Sequence, residues 1–293
     1  MYLPQFEYHA PKTTEELVSL LSRYRKKAKI LCGGTDLIVA MKDKVMKPDC
    51  VIDISGLAAL CGIGIRHQEG KGLVIGAATK LDELERSTLI KEKYYALYQG
   101  ASVVGSPQVR AMGTLGGNSC TASPAADTPP ALIAFGARVN LVSGKGLRQM
   151  ALEQFIRGNR ETALGEDEFL ESFVLEDPLP NSASRYLIMG LRGAMEIDMV
   201  NVAVNLALEP GNGKVKDVRI VLGAVAPAPL RARQAEGLLK GRIPDDPLLD
   251  RVAETCALES KPIDDFRATA AYRREIVGVL ARRALKEVLS AIQ

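Results

Sequence analysis

The chain has 293 residues, of which 47% are hydrophobic and 25% are charged, and this is the composition of a globular protein rather than of a disordered one. Its 38 Lys and Arg stand against 35 Asp and Glu, and the net charge of +3 is too small to favour binding to nucleic acid. A single core seldom grows to this length, so two or three domains are expected.

Cysteine and histidine usage argues against disulfide and metal sites. The five cysteines are odd in number and never in CxxC spacing, and His9 and His67 lack acidic or cysteine partners at ligand spacing, so reduced thiols and no histidine-based metal site are expected. The N-terminus lacks the basic and apolar regions of a signal peptide, and no apolar stretch has the length of a membrane span. A cytoplasmic protein without a membrane span is therefore predicted.

The first segment reads as strand and helix around a glycine turn. Thr13 and Glu16 have the spacing of a helix-capping pair, which predicts a helix that ends near residues 24–27. A short apolar run, 28–32, stops at a glycine pair and is followed by helical spacing over 37–41. We predict a first domain over residues 1–56, with a boundary near 55–60.

The second segment, 57–178, mixes predicted strands, helices and one long loop. Strands are predicted at 51–54, before the boundary, and at 73–77, 138–142 and 169–175, with a Gly-rich stretch at 62–72 and helical periodicity over 81–97. Residues 113–130 are dense in Gly, Pro, Ser and Thr, so they are predicted to form a long structured loop, a type that is often functional.

The third segment, 179–293, begins within the run 176–181, whose two prolines mark a boundary. Its first half predicts an antiparallel meander of strands at 186–191, 200–208 and 215–223, with a turn at 211–213. The part from Arg231 onward is predicted to be helical. The last helix, about 270–292, carries basic residues that form either a docking face or, as we favour, a solvated side: Arg273, Arg274, Arg282, Arg283 and Lys286.

The glycine pair Gly33-Gly34 is the first candidate site. Glycines at the start of a helix let the backbone approach a ligand closely, and the free N–H groups of such a turn suit a phosphate. The alternative is a tight turn in which Thr35 or Asp36 caps the helix. Neither GxGxxG nor GxxxxGK[ST] occurs in the chain, so a Rossmann fingerprint or P-loop does not explain it.

A second glycine pair, Gly116-Gly117, is the second candidate site. With Thr114 and Asn118 beside it, it could close over the same diphosphate by donating backbone N–H groups, as a nest of amides does. Asp127 downstream would suit the hydroxyls of a ribose. Equally, Asp127 could cap a helix over 128–135, and the sequence leaves both open.

These residues resemble the FAD-binding medium subunit of molybdenum hydroxylases, the family that includes carbon monoxide, nicotinate and xanthine dehydrogenases. The similarity lies in residues 32–37 (CGGTDL), 114–118 (TLGGN) and 122–127 (ASPAAD), extends to the opening 6–13 (FEYHAPKT), and runs to the C-terminal helices. The two loops in this order and spacing make the signal specific.

The resemblance implies an α+β fold: a two-domain FAD-binding fold of the vanillyl-alcohol-oxidase type, followed by a C-terminal domain of antiparallel sheet and helices. It also implies cofactor contacts. The first loop would line the diphosphate, the second would close over it, Asp127 would hold the adenosine ribose, and two apolar residues would face the flavin system, although core packing explains those two equally well. The implied residues are Ile30, Leu31, Cys32, Gly33, Gly34, Thr35, Asp36, Leu37, Val104, Thr114, Leu115, Gly116, Gly117, Asn118, Asp127 and Leu170.

The resemblance further implies that this oxidoreductase works inside a complex. A large subunit would hold molybdopterin and act on the substrate, 2Fe-2S clusters of a small subunit would pass electrons to the FAD, and two heterotrimers would pair. No acid–base or nucleophilic arrangement is visible in the chain, and no cysteine-rich insertion predicts a cluster here. Ile188 stands where many members carry a lysine, which puts a lysine contact to the flavin in doubt.

Two other functions remain open at the level of sequence. The first is a free-standing flavin oxidoreductase that acts directly on a small molecule, and the second is a non-enzymatic scaffold that binds an adenine nucleotide. The organic substrate and the electron acceptor, whether NAD, ferredoxin, a quinone or dioxygen, are not determined by the sequence.

Overall fold

The computed structural model describes residues 2–64 and 72–292, so most of the Gly-rich stretch predicted at 62–72 lies outside the described residues. The first sheet, sheet I, is parallel, in the order β1 (Glu7–His9), β3 (Cys50–Asp53) and β2 (Ala28–Leu31). The predicted capping is confirmed, because Thr13 Oγ1 accepts the N–H of Glu16 at the start of the first helix. The helices of this part are α1 (Thr14–Tyr24) and α2 (Leu37–Lys42).

The second sheet, sheet II, is antiparallel. Its order is β4 (Ile63–Gly64), β5 (Leu73–Gly76), β10 (Phe169–Leu175), β6 (Arg138–Ser143) and β7 (Gly146–Ala151). The strands β8 (Ile156–Gly158) and β9 (Glu161–Thr162) form a separate two-stranded antiparallel sheet. The helices are α3 (Leu81–Arg86), α4 (Thr88–Lys93), α5 (Tyr95–Val103), α6 (Pro107–Met112), α7 (Leu115–Thr121), α8 (Thr128–Ala134) and α9 (Leu152–Phe155).

One expectation for this part was wrong. Residues 113–130 are not a long loop, because they contain α7 and the start of α8. Thr114 caps α7 with its side chain, and the prolines at 129 and 130 lie in the first turn of α8, where a missing N–H breaks no helical hydrogen bond. The Gly and Pro content that suggested a loop therefore marks the starts of two short helices.

The third sheet, sheet III, is the predicted antiparallel meander. Its strands are β11 (Ser182–Met189), β12 (Val200–Leu208), β13 (Val215–Gly223) and β14 (Leu230–Arg231). One face packs on the helices α10 (Arg233–Leu239), α11 (Asp246–Glu259) and α12 (Ala270–Ile292). The opposite face packs on sheet II and its helices through Tyr186, Ala203 and Val221. The predicted α+β fold with a C-terminal sheet-and-helix part is confirmed.

The basic residues of α12 do not form one solvated side. Arg273 is buried with 1% exposure and donates to the carbonyls of Met199 and Ala224. Arg282 and Lys286 pair with acidic residues of α11. Most of these basic side chains therefore link α12 to α11 or to the ends of strands in sheet III.

All five cysteines are free thiols, as expected. Within residues 2–64 and 72–292, none of the helices is both long enough and apolar enough to cross a membrane.

Candidate functional site

The first glycine loop connects β2 to α2 and presents unused backbone donors. Gly34 has a φ of +72°, a conformation that glycine adopts without strain. Among the described residues, the N–H groups of the loop find no acceptor until Ile38 donates to the carbonyl of Gly34 at 3.1 Å. The unused donors are the amides of Gly33, Gly34, Thr35, Asp36 and Leu37. This loop therefore has the open amides that the sequence predicted.

The second glycine loop is built differently. Its amides are bound inside the protein: Leu115 N–H donates to Thr79 O at 3.0 Å, and Gly116 N–H donates to Ala77 O at 2.8 Å. Gly117 N–H donates to Thr114 Oγ1 at 3.0 Å. The expectation that both loops offer bare amides was thus wrong for this loop, because the first turn of α7 is docked on the chain that leaves β5.

Gly116 serves packing rather than an open nest. A Cβ at this position would lie 2.6 Å from Ala77 O, a distance that real Cβ atoms do not reach. The glycine therefore lets α7 approach the main chain after β5. Gly117, by contrast, is exposed, and it is the member of the pair that faces solvent.

The two loops touch each other. Gly33 packs on the main chain of Met112 and Gly113 so closely that a Cβ there would collide with them. Thr121 Oγ1 at the end of α7 donates to the Asp36 carboxylate at 3.2 Å. Loops separated by some eighty residues in sequence thus share one surface patch, as a site for a single ligand requires.

Lys80 adds a cation that the sequence reasoning missed. Its Nζ donates to Met112 O at 2.9 Å, next to Gly33. Burial raises the pKa of the Cys32 thiol, while the charge of Lys80 acts to lower it, which places the ammonium near the first loop. No motif marks Lys80 in the sequence, because only the contact between α3 and the end of α6 brings it there.

Side chains of α7 supply further polar groups. Asn118 Oδ1 accepts a hydrogen bond from Thr128 at 2.7 Å, so the amide nitrogen of Asn118 remains a donor. Ser119 is fully buried, and its hydroxyl has no partner among the described residues. A buried polar atom without a hydrogen-bond partner is rare in native proteins. The Ser119 hydroxyl is therefore a place where a bound group could supply the missing hydrogen bond.

Asp127 lies where α8 begins but does not cap that helix with its side chain. Instead, it is buried, and its Oδ1 accepts the hydroxyl of Tyr186 at 3.0 Å. Burial raises the pKa of this carboxyl well above its usual range, and the nearby Asp198 raises it further. Neither the capping alternative nor a freely exposed carboxylate describes this residue.

The remaining implied residues lie in or beside the cores. Leu170 is 4% exposed in β10 and belongs to the core of sheet II, whereas Val104 is half-buried beside that core. Val104 follows α5, and its carbonyl accepts from Arg110 at 3.3 Å. Ile30 and Cys32 are half-buried against the core of sheet I, and Leu31 ends β2. Ile188, the departure from the family pattern, packs against the core of sheet II.

The arrangement fits a flavin dinucleotide. Open amides on the first loop, the cation of Lys80 and the Asn118 donor suit a diphosphate. When FAD is bound, its isoalloxazine supplies the redox chemistry, and the protein contributes binding and orientation.

Comparison with known proteins identifies the family. Residues 4–176 match the model of the FAD binding domain in molybdopterin dehydrogenase, and residues 185–288 match the model of the CO dehydrogenase flavoprotein C-terminal domain. The chain is 31% identical to the carbon monoxide dehydrogenase medium chain of Afipia carboxidovorans, with 96% of each chain covered. It is 32% identical to the nicotinate dehydrogenase FAD-subunit of Eubacterium barkeri, with 99% of this chain and 98% of the relative covered.

Solved structures agree with the sequence matches. A chain of the carbon monoxide dehydrogenase from Hydrogenophaga pseudoflava superposes with a TM-score of 0.93 at 32% identity, covering 100% of this chain and 99% of that one. A chain of a Cu,Mo-CO dehydrogenase gives the same TM-score at 30% identity, covering 99% of both chains. The protein therefore belongs to the family of FAD-binding medium subunits of the molybdenum hydroxylases.

Proposed function

We propose that this chain holds one FAD across its two glycine loops and acts as an electron-transfer subunit. Electrons would arrive from 2Fe-2S clusters of a small subunit and leave through the flavin to an external acceptor. The observation that carries the proposal is the contact of the open-amide loop with the main chain of Met112 and Gly113, just before α7 and beside Lys80.

The FAD contacts remain proposals residue by residue. The first loop would hold the diphosphate through its amides, whereas the second would contribute through Asn118 and the exposed Gly117. Asp127 would lie on the adenosine side, and Val104 and Leu170 on the flavin side. We also propose the domain division 1–56, 57–178 and 179–293, which is supported by the confinement of sheets I, II and III to these ranges.

The partners follow from the relatives. One matching structure is described as a carbon monoxide dehydrogenase that lacks the Mo-pyranopterin moiety of its molybdenum cofactor, so a molybdenum cofactor belongs to that enzyme. By analogy, a large molybdopterin-binding subunit and a small 2Fe-2S subunit would accompany this chain, as a dimer of heterotrimers in the cytoplasm. The free thiols of all five cysteines are compatible with that compartment.

Purification of the native complex tests the proposal. The chain should co-purify with two other subunits, and the complex should contain molybdenum, 2Fe-2S clusters and one FAD for each copy of this chain. A colourless chain that purifies alone and does not take up added FAD would overturn it.

A glycine substitution tests the loop itself. Gly34→Val forces a β-branched residue into a positive φ, and its Cβ would lie 3.1 Å from side-chain atoms of Ile38 and Leu31. We expect this variant to fold and to lose FAD. Gly56→Val is the matched control, since nothing lies within 4 Å of a Cβ at Gly56.

A further inference from the structure

A tyrosine hydroxyl lies between two buried carboxyl groups where sheet III meets the helices of sheet II. The Tyr186 hydroxyl is 3.0 Å from Asp127 Oδ1 and 3.1 Å from Asp198 Oδ2. Tyr186 lies in β11, Asp127 at the start of α8, and Asp198 just before β12, and none of the three is more than 8% exposed. The cluster therefore links two parts of the chain that are far apart in sequence.

The number of available protons decides the charge of this cluster. One hydroxyl can donate to only one of the two carboxyl groups at a time. Two ionised carboxylates that both lie within hydrogen-bond distance of one hydroxyl would repel each other strongly in a buried site, so one of them keeps a proton. The hydrogen bonds around the cluster indicate which one.

Asp198 is the better candidate for the ionised member. Its Oδ2 accepts the side-chain N–H of Asn201 at 2.9 Å, and this donor is independent of the tyrosine hydroxyl that the two carboxyl groups share. Donors of this kind stabilise a carboxylate. Apart from the shared hydroxyl, no side chain among the described residues donates to Asp127, so the proton stays with Asp127, which can then donate towards Asp198.

The other charged groups around the cluster leave this assignment in place. Glu196, two residues from Asp198, adds a negative charge that disfavours ionisation of Asp198, but this effect is smaller than those of the hydrogen bonds that Asp198 accepts. Arg273 of α12 contacts Met199, the residue after Asp198. Its guanidinium donates to Met199 O, to Ala224 O and to the Asp265 carboxylate rather than to the cluster.

We propose that Asp198 is a positioning residue for Asp127: through the bridging Tyr186 it holds Asp127 as the protonated member of a one-proton carboxyl pair, and so fixes the segment 123–127 against sheet III. The proposal extends the proposed function, and its FAD measurement rests on that function. Its proton-sharing part stands on the geometry of the chain alone.

The pKa directions agree with the assignment. Burial raises the pKa of Asp127 well above its usual range, and repulsion from Asp198 adds to this. Burial also raises the pKa of Asp198, to about 6, although hydrogen bonds from Asn201, Asp127 and Tyr186 act to lower it. Asp127 is therefore the last of the two to lose its proton.

The sign of the pH effect follows from linkage. Both carboxyl groups have a higher pKa in the folded chain than in the unfolded chain, so the folded state binds more protons once the pH exceeds about 4. Their contribution to stability is fully present below that pH and is lost as the pH rises through the folded pKa, which is about 6 for Asp198.

The test compares unfolding of the full chain by urea from pH 5 to pH 8 in the wild type, Asp198→Asn, Tyr186→Phe and the control Glu254→Gln. Glu254 is exposed on α11. Asn at position 198 preserves the shape, cannot ionise and can donate to Asp127. We expect the folding equilibrium constant of Asp198→Asn, relative to wild type, to rise at least tenfold from pH 5 to pH 8.

Tyr186→Phe should show the opposite change, because removal of the bridging hydroxyl leaves the two carboxyl groups facing each other. Its folding equilibrium constant relative to wild type should fall as the pH rises. Glu254→Gln should follow the wild-type profile. Parallel profiles for Asp198→Asn and the wild type would overturn the shared proton.

The FAD measurement tests positioning. An ionised carboxylate accepts a hydroxyl more strongly than a neutral acid does, so the pH profile of the FAD dissociation constant should move to lower pH in Asp198→Asn and stay in place in Glu254→Gln. An unmoved FAD profile together with a shifted unfolding profile would overturn the positioning role. If the wild type bound no FAD, the proposed function would fail, and the unfolding data would still decide the shared proton.

Discussion

Gly33 lies directly against the carbonyl oxygen of Met112, with no room between them for a Cβ atom. The same carbonyl accepts a hydrogen bond from Lys80. The turn after β2 and the end of α6 are thereby held together, although the turn belongs to the part of the chain with sheet I and the helix to the part with sheet II. This contact turns two weak sequence signals into one candidate site.

Gly33→Ala should separate the two loops. The added methyl group collides with main chain, which cannot rotate away as a side chain can, so we expect a loss of roughly 1–3 kcal/mol in unfolding free energy together with loss of FAD. Thermal unfolding and flavin absorbance of the purified chain measure the two effects. Gly56→Ala is the control and should change neither, and a Gly33→Ala chain with full FAD occupancy would contradict the assignment.

Lys80→Met should weaken FAD binding without unfolding the chain. A single charge near a diphosphate at the surface is worth about 1 kcal/mol, or about fivefold in the dissociation constant. Lys80→Arg should retain most of the affinity. Titration with FAD at low and high salt measures both variants, and a wild-type affinity that does not respond to salt would argue against a role for this charge.

Arg110→Met should disturb the chain around Val104. Arg110 is buried, with Nε 2.8 Å and Nη2 3.2 Å from the carboxylate oxygens of Glu85, and its Nη1 donates to Val104 O. Loss of these charged hydrogen bonds should cost roughly 1.5–3 kcal/mol, measured by urea unfolding, and should reduce FAD retention.

The double variant Arg110→Met with Glu85→Leu is the control for Arg110. It leaves no unpaired carboxylate and should recover part of the stability. If it restores stability but not FAD retention, the position of Val104 matters for the cofactor in its own right. If Arg110→Met retains FAD fully, the position of Val104 does not matter for cofactor binding.

Arg273→Met should destabilise the C-terminal part strongly. Arg273 is buried, whereas Asp265 is half-buried and keeps a second partner in Arg267. Loss of the charged hydrogen bonds from Arg273 to Asp265 and to two main-chain carbonyls should cost roughly 1.5–3 kcal/mol. Arg274→Met, at the next position of α12 and exposed, is the control and should have little effect. Urea unfolding at pH 7 measures the difference.

Arg273 should also affect how the unfolding free energy changes at acidic pH, through its contact with Asp265. Burial acts to raise the pKa of Asp265, but hydrogen bonds from Arg267 and Arg273 outweigh it and hold this pKa below its usual value. The stabilisation is therefore present above about pH 4 and is lost as the pH falls through the folded pKa. Unfolding free energies from pH 7 down to pH 2 should fall less steeply below about pH 4 in Arg273→Met than in wild type.

Local chemistry made much of the fold predictable. The capping pair Thr13 and Glu16, the apolar run before Gly33 and the strand at 200–208 are set by neighbours in the chain, and all three predictions were confirmed. Residues 113–130 were misread as a loop because Gly and Pro also occur in the first turns of helices. Composition alone does not separate these two cases.

The sequence by itself determined the two glycine loops and the family resemblance, because these depend on residue types at fixed spacing, and the resemblance in turn implied the α+β fold. Only the tertiary structure decided which loop keeps open amides, that Lys80 stands beside them, and that Asp127 faces Tyr186 and Asp198 instead of capping α8. The reason is physical: whether a donor is free and whether a carboxyl is charged depend on groups that the fold brings together from distant parts of the chain.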